Sequence, residues 1–250
     1  MKSYYNATKT FDTSTTTRAI DVDPIALNRY ITKVFGWTFL GLLATSATVL
    51  FFIMGLAAQP DIFVPFISAA LNWFLFIAIG QLIFVFIFTR KIETMRPATA
   101  KLMYMIYAIS MGLLFTWVAL VYNLQTIGTA FLLTSVSFGF MAVYGVVTKQ
   151  DLTRWGNILM FALIGLVLAI VVNMFLGNTM LDTVITIAGI FIFLALTVYD
   201  ANRIKSFYSN SLDSDGEATA VTENLAIFSA LGLYLNFINL FLFMLRFLRD

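Results

Sequence analysis

Seven long apolar stretches with almost no charge inside them run along the chain, at approximately Val34–Ala58, Phe66–Phe88, Leu102–Val121, Thr126–Val147, Ile158–Leu176, Thr183–Tyr199 and Leu225–Leu245. A helix needs roughly 20 apolar residues to cross the hydrocarbon core of a bilayer. In lipid every backbone N–H and C=O must find its partner within the protein, so each stretch is predicted as a helix. The pattern predicts an all-α membrane protein: a seven-helix transmembrane bundle over residues 34–250, behind a mobile polar tail over residues 1–33. That tail carries the run Thr13–Thr17 and no apolar core of the kind a signal peptide needs. The first span is therefore expected to act as an uncleaved signal-anchor.

Composition sharpens this picture. Hydrophobic residues make up 60% of the chain and charged residues 11%, against about 25% charged in a soluble domain. The 26 Phe residues suit a lipid-facing surface, so the bilayer is the first expected partner. A net charge of +2 with scattered basic residues excludes nucleic acid as a partner. There is no Cys, hence no disulfide and no thiolate ligand, and no His, which removes the commonest transition-metal ligand and the usual pH switch. A His-based triad, an HExxH zinc site and His-ligated haem are excluded, and no cofactor is expected. Proton sensing would have to use carboxylates or Tyr.

The basic residues alternate from loop to loop. Lys2, Lys9, Arg18, Arg29 and Lys33 precede the first span, and Arg90, Lys91, Arg96 and Lys101 follow the second. Lys149 and Arg154 follow the fourth, and Arg203 and Lys205 follow the sixth. Thirteen of the fifteen basic residues thus fall on one side, which the positive-inside rule makes cytoplasmic. The expected topology is N-terminus inside and C-terminus outside. Arg246 and Arg249 are the exceptions: they either snorkel to an outer interface or mark a re-entrant last segment. Leu225–Leu245 is long enough to cross, which favours the full span.

Polar groups inside or beside the spans are the candidate chemistry. The loop Asn202–Asn224 contains Asp213-Ser-Asp-Gly216, faintly like half a calcium loop, but Thr222 rather than Glu223 falls at the bidentate position, so a solvated linker is expected. Hydroxyl and small residues such as Thr45 and Thr134 read as helix packing. Asp200 stands at the end of the sixth stretch, in Val198-Tyr-Asp-Ala-Asn-Arg-Ile-Lys205, where nothing breaks a helix before about Ser206. An ionised Asp near hydrocarbon costs at least a few kcal/mol unless paired or hydrated. Two readings stand: an interfacial Asp paired with Arg203, or a gate or ion ligand facing the bundle interior. Asn236 and Asn239 sit at i, i+3 in the last span and face the interior, as structural glue or as a polar ion path. Asp61 and Asp182, at outer ends of spans, are most simply solvated.

Three segments carry a family resemblance. They are Arg29-Tyr-Ile-Thr-Lys-Val-Phe-Gly-Trp-Thr-Phe-Leu-Gly-Leu-Leu43, Phe140-Met-Ala-Val-Tyr-Gly-Val-Val-Thr-Lys-Gln-Asp-Leu-Thr-Arg-Trp-Gly156 and Leu231-Gly-Leu-Tyr-Leu-Asn-Phe-Ile-Asn-Leu-Phe241. With Tyr199-Asp200, they resemble a bacterial member of the Bax inhibitor family (transmembrane Bax inhibitor motif proteins), from Arg29 to Arg249. The resemblance implies a seven-helix fold with a central C-terminal helix and a pH-sensitive calcium leak through the bundle. It implies two aspartates on the last two helices that share a proton and gate the pore, and an Arg after the second helix that latches onto them. The first aspartate maps onto Asp200 and the Arg onto Arg90. The second is expected in Leu-Tyr-Leu-Asp-Phe-Ile-Asn, where this chain has Asn236. Two carboxylates a few ångströms apart resist double ionisation. Asp with Asn leaves one titrating group, so weaker or shifted pH dependence is expected.

The expected function is a pH-influenced calcium (cation) leak channel of the bacterial inner membrane. Asp200 would be its intramembrane charge and weak calcium ligand, Asn236 its partner, and Arg90 a latch. Asn239, Arg203 and Tyr199 would be accessory polar groups. Calcium would be the permeating ion, since it accepts amide carbonyls as well as carboxylates, and weak binding suits an ion that must leave as readily as it enters. The alternative is a non-channel interaction protein that regulates a membrane-bound protease through the N-terminal tail. No enzyme is expected: intramembrane aspartyl chemistry needs two carboxylates, and no second Asp lies within a span.

Overall fold

The computed structural model describes residues 23–150, 152–212 and 217–249, and among these it is helical, with no strand. The helices are α1 (Pro24–Ala58), α2 (Pro60–Asn72), α3 (Phe74–Lys91), α4 (Pro97–Val121), α5 (Leu124–Val147), α6 (Thr153–Leu176), α7 (Thr179–Asn210) and α8 (Ala220–Phe247). A 3-10 turn, Ile92–Thr94, joins α3 to α4. Six of the helices, α1 and α4 to α8, are long and apolar enough to cross a membrane.

Local chemistry sets the ends. Asp23 caps α1 by accepting a hydrogen bond from Ile25 N at 2.9 Å, and Pro24, which has no N–H to satisfy, opens the helix. The helix thus begins well before the apolar stretch at Val34. Asn123 and Asn178 cap α5 and α7 through Thr126 N and Leu181 N. Thr219 and Thr222 cap α8 reciprocally. Gly177 ends α6 in the left-handed region, at φ 59°.

Two expectations change. The seven-helix count becomes eight α-helices among the described residues, because the second stretch, Phe66–Phe88, is divided. Gln59 alone links α1 to α2, and Trp73, outside both helices at φ −97°, ψ 4°, separates α2 from α3. Apolar composition continues across the break, so hydropathy joins what the backbone separates. The loop Asn202–Asn224 also shrinks: α7 runs on to Asn210 and α8 starts at Ala220, so Glu223 belongs to a helix. Residues 213–216, with the faint calcium-loop pattern, lie outside the described residues.

Helix α8 is one unbroken helix packed against α7, α1, α5 and α4. Of its most apolar window 67% is buried, against 11–33% for the other five long helices. Close contacts use small residues. A Cβ on Gly189 of α7 would lie 2.5 Å from the Phe243 ring, and one on Gly145 of α5 would lie 2.9 Å from Ala201 Cβ. Thr45 Oγ1 of α1 lies 2.7 Å from the hydroxyl of Tyr234 on α8, inside the core. Outward, the helices present large bare apolar side chains such as Phe161 (75% exposed) and Phe175 (81%). Such a surface would be costly in water and is ordinary against acyl chains.

Candidate functional site

The last two helices place the candidate site. Asp200 lies inside α7, which continues through it without a break, and α8 runs alongside in the opposite sense. Asn236 Nδ2 donates to Asp200 Oδ2 at 2.7 Å. A hydrogen bond to an ionised group contributes about 1.5–3 kcal/mol. One turn earlier on α8, Gly232 leaves the carboxylate uncovered: a Cβ there would sit 3.5 Å from Oδ2. Asp200, Gly232, Asn236 and Asn239 line a cavity of about 760 Å³ bounded by α6, α7 and α8, with Leu82 of α3 on its rim. Arg203 lines one end of it and Arg246 the other.

The other predicted residues divide. Arg203 does not form an ion pair with Asp200. Its guanidinium carbon sits 5.2 Å from the Tyr199 ring centroid and 4.5 Å from that of Phe207. Tyr199 lies over Gly156 of α6, where a Cβ would collide with its hydroxyl. Asn239 Nδ2 donates to Leu235 O of its own helix at 2.8 Å, so of the two interior amides it is Asn236 that reaches across to α7. Arg90 lies at the end of α3, with its guanidinium carbon 4.7 Å from the centroid of the Phe86 ring, and is not among the residues that line the cavity.

Sequence reasoning missed two charged clusters. At the far end of α7, Asp182 is half-buried rather than freely solvated. Arg246 of α8 grips both its oxygens, with Nε donating to Oδ2 at 3.0 Å and an Nη2 contact to Oδ1. Asn173 Nδ2 of α6 adds a bond to Oδ1 at 3.1 Å. At the opposite end, Glu223 receives Lys33 of α1 at 2.7 Å and Lys101 of α4 at 2.8 Å. The next residue, Asn224, donates to Ile92 O at 2.8 Å and Met95 O at 2.7 Å, tying α8 to the turn after α3. The available signal was opposite charges assigned to the same end of neighbouring spans.

Among the described residues no group of three or more His, Cys, Asp or Glu side chains converges as a metal cage. What the site holds is one carboxylate bonded to one amide donor, in a mostly apolar cavity with an Arg at each end. That set can ligate a cation weakly through Asp200 and amide carbonyls, and it contains no second acid for general acid–base work. The tail before Asp23, on which the protease-regulating alternative rests, lies outside the described residues.

Comparison with known proteins agrees with the resemblance read from the segments. The family model described as "Inhibitor of apoptosis-promoting Bax1" matches residues 27–250. "Inner membrane protein YbhL" of Escherichia coli (strain K12) is 33% identical over 220 residues, covering 88% of this chain and 91% of the relative. An uncharacterized protein of Rickettsia prowazekii is 33% identical over 241 residues, 96% of each chain. Another from Borreliella burgdorferi is 32% identical over 221 residues, covering 88% of this chain and 91% of the relative.

Proposed function

Since the chain belongs to the Bax inhibitor family of membrane proteins, we propose that it is a calcium (cation) leak channel of the bacterial inner membrane, gated around Asp200. The observation that carries this reading is the Asp200–Asn236 hydrogen bond at the wall of a cavity that reaches from Arg203 to Arg246. A carboxylate there offers a cation its one negative side chain in a mostly apolar passage. The amide carbonyls of Asn236 and Asn239 are the neutral oxygens beside it. Because Asn236 stands where the resemblance implies a second acid, only one group titrates, and the leak responds to pH more weakly than a shared-proton pair would. Arg90, over Phe86, is a latch only if α3 moves.

The proposed topology has seven crossings. Helix α3 supplies the one beyond the six long helices: its 18 residues span about 27 Å, close to the ~30 Å core. Helix α8 is the central, last crossing, in keeping with its burial and with the separation of Glu223 from Arg246. Lys33 and Lys101, both on the Lys- and Arg-rich side, meet at Glu223, which supports that end as cytoplasmic. The name of the Escherichia coli relative supports the inner membrane.

The test is calcium influx into proteoliposomes that hold the purified chain, measured at several pH values. Asp200→Asn is expected to abolish most of the flux. A variant with the wild-type flux and pH response would remove Asp200 from the path.

A further inference from the structure

The cavity beside Asp200 has a second property that ion passage does not use. It is a cleft open along its side. Helix α3 packs chiefly on α4, and α6 chiefly on α7, so the two stand on opposite flanks of the α8 face between them. The rim is apolar and bare: Leu82 is 73% exposed, Met160 58% and Val167 52%. A neighbouring hollow of about 500 Å³, toward α4, shares Leu82, Leu235, Asn239 and Leu242 with the first, so the two form one trough. Ligand sites commonly enclose about 300–1,000 Å³, and the 760 Å³ of the larger hollow falls in that range.

The cleft is polar at its Arg203 and Arg246 ends and apolar between them. Its Arg203 end is polar, with Asn157 and Arg203 beside the Asp200–Asn236 pair. Beyond it the walls are Leu163, Val167, Leu235, Leu242 and Phe243. From Gly232 to Leu242, α8 rises about 15 Å, which is the depth of one leaflet of a ~30 Å hydrocarbon core. The Arg203 guanidinium caps the polar end. It rests on the Tyr199 and Phe207 rings and, among the described residues, makes no direct ion pair; the Asp200 carboxylate three residues back attracts it through space but spends its hydrogen bond on Asn236, so the Arg203 donors remain open to a phosphate. A fixed cation at the interface above an apolar slot of leaflet depth complements one kind of molecule: an anionic amphiphile lying parallel to the helices.

We infer that the α3–α6 cleft binds one anionic phospholipid from the leaflet on the Arg203 side. Its phosphate meets Arg203, and one acyl chain lies along α8 between Leu163 and Leu242. Arg presents a planar fork of donors that suits a phosphate, while the slot gains dispersion contacts that bare walls lack. The bound chain covers Gly232 and Asn239, and so closes the cavity from the side. The inference does not rest on the leak reading, because lipid can occupy the cleft whether or not ions pass.

Native mass spectrometry of the full-length chain in detergent tests it, with phosphatidylglycerol and phosphatidylcholine of identical acyl chains competing. The wild type is expected to retain one phosphatidylglycerol in preference to phosphatidylcholine. Arg203→Gln is expected to cut that preference about tenfold, as the loss of one charge-assisted contact does. Leu242→Trp, which fills the slot, is expected to lose both lipids, while Phe161→Trp on the outer face of α6 keeps the wild-type pattern. Equal retention of the two lipids by the wild type, or an unchanged pattern in Arg203→Gln or Leu242→Trp, overturns the inference. So does a dimer in place of the lipid-bound monomer, which would give the cleft to a second copy. A mapping arm needs no variant. Phosphatidylglycerol with a photoreactive acyl chain, in liposomes, should label Met160–Val167 and Leu235–Leu242, and labelling of the outer faces without these segments overturns the inference equally.

Discussion

Helix α7 presents two aspartates to α8, Asp182 in its first turn and Asp200 about five turns further on, and the two are treated in opposite ways. Asp182 is matched by a full countercharge: Arg246 holds both its oxygens, and Asn173 adds an amide. Asp200 has one amide, from Asn236, while Arg203, three residues on, rests on aromatic rings and acts on it only through space, without a direct ion pair. The first arrangement neutralises its charge and stitches three helices together. The second leaves a carboxylate with coordination to spare beside open volume. The contrast separates a carboxylate held by a direct ion pair from one held by an amide beside open volume. It also explains why an Asp by itself is an ambiguous sign in a membrane sequence.

The largest effect is expected on the paired side. Arg246→Ala leaves Asp182, whose side chain is 30% exposed, with only Asn173. Removing one partner of a fully buried pair costs about 3–5 kcal/mol, and of an exposed pair about 0–1, so a loss of about 2 kcal/mol is expected for this half-buried one. Thermal unfolding in detergent measures it. The double variant Asp182→Asn/Arg246→Ala should recover part of the loss, because the stranded charge goes too. A single variant as stable as the wild type would mean that the outer pair contributes nothing, and the contrast between the two ends would fail.

The next effect is on the unpaired side. Asn236→Asp replaces the amide donor, 2.7 Å from Asp200 Oδ2, by a second carboxylate. At low pH the pair can share a proton and keep its hydrogen bond. Once both ionise, like charges face each other a few ångströms apart in a weakly hydrated site. The variant should therefore match the wild type at acidic pH and lose about 1–2 kcal/mol as pH rises through the second ionisation. Melting curves collected across the pH range read the sign directly. A flat difference between variant and wild type would place Asp200 in ready contact with water, and the comparison with Asp182 would lose its physical basis.

How much of this was legible from the chain follows from which forces act locally. Six long apolar helices were legible, because each must satisfy its own backbone in lipid. The break at Trp73 was not, since a single Asn72 between apolar residues on both sides does not interrupt an apolar run. The start of α1 was written in Asp23-Pro24, an N-cap followed by a proline, but reading by apolar content placed it at Val34. The polar residues worth watching, Asp200 and Asn236, stood out as intruders in apolar runs. Their meeting across 36 positions came from the family resemblance and not from spacing, because register between two antiparallel helices is set by packing, here by Gly189 under Phe243. The Asp182–Arg246 pair needed the same register and had no motif to point to it.

The smallest effect is expected at Arg90, and it asks whether Asp200 ever receives the countercharge that Asp182 has. In this structure Arg90 sits at the end of α3 over Phe86, where a cation–π contact at an exposed site contributes about 0.5–1 kcal/mol. If Asp200 stays without a cation, Arg90→Ala should lower stability by no more than that, and Asp200→Asn and Arg90→Ala should add in a double-mutant cycle, as sites without contact do. If α3 swings across the cleft and Arg90 latches onto Asp200 in another state, the two substitutions should couple, in melting temperature or in calcium flux. The cycle isolates that term even where each single change is small. Strict additivity in both measurements would leave Asp200 without a direct ion pair, held by the Asn236 amide and the distant field of Arg203, while coupling would make the two aspartates of α7 alike in kind, one neutralised permanently and the other on demand.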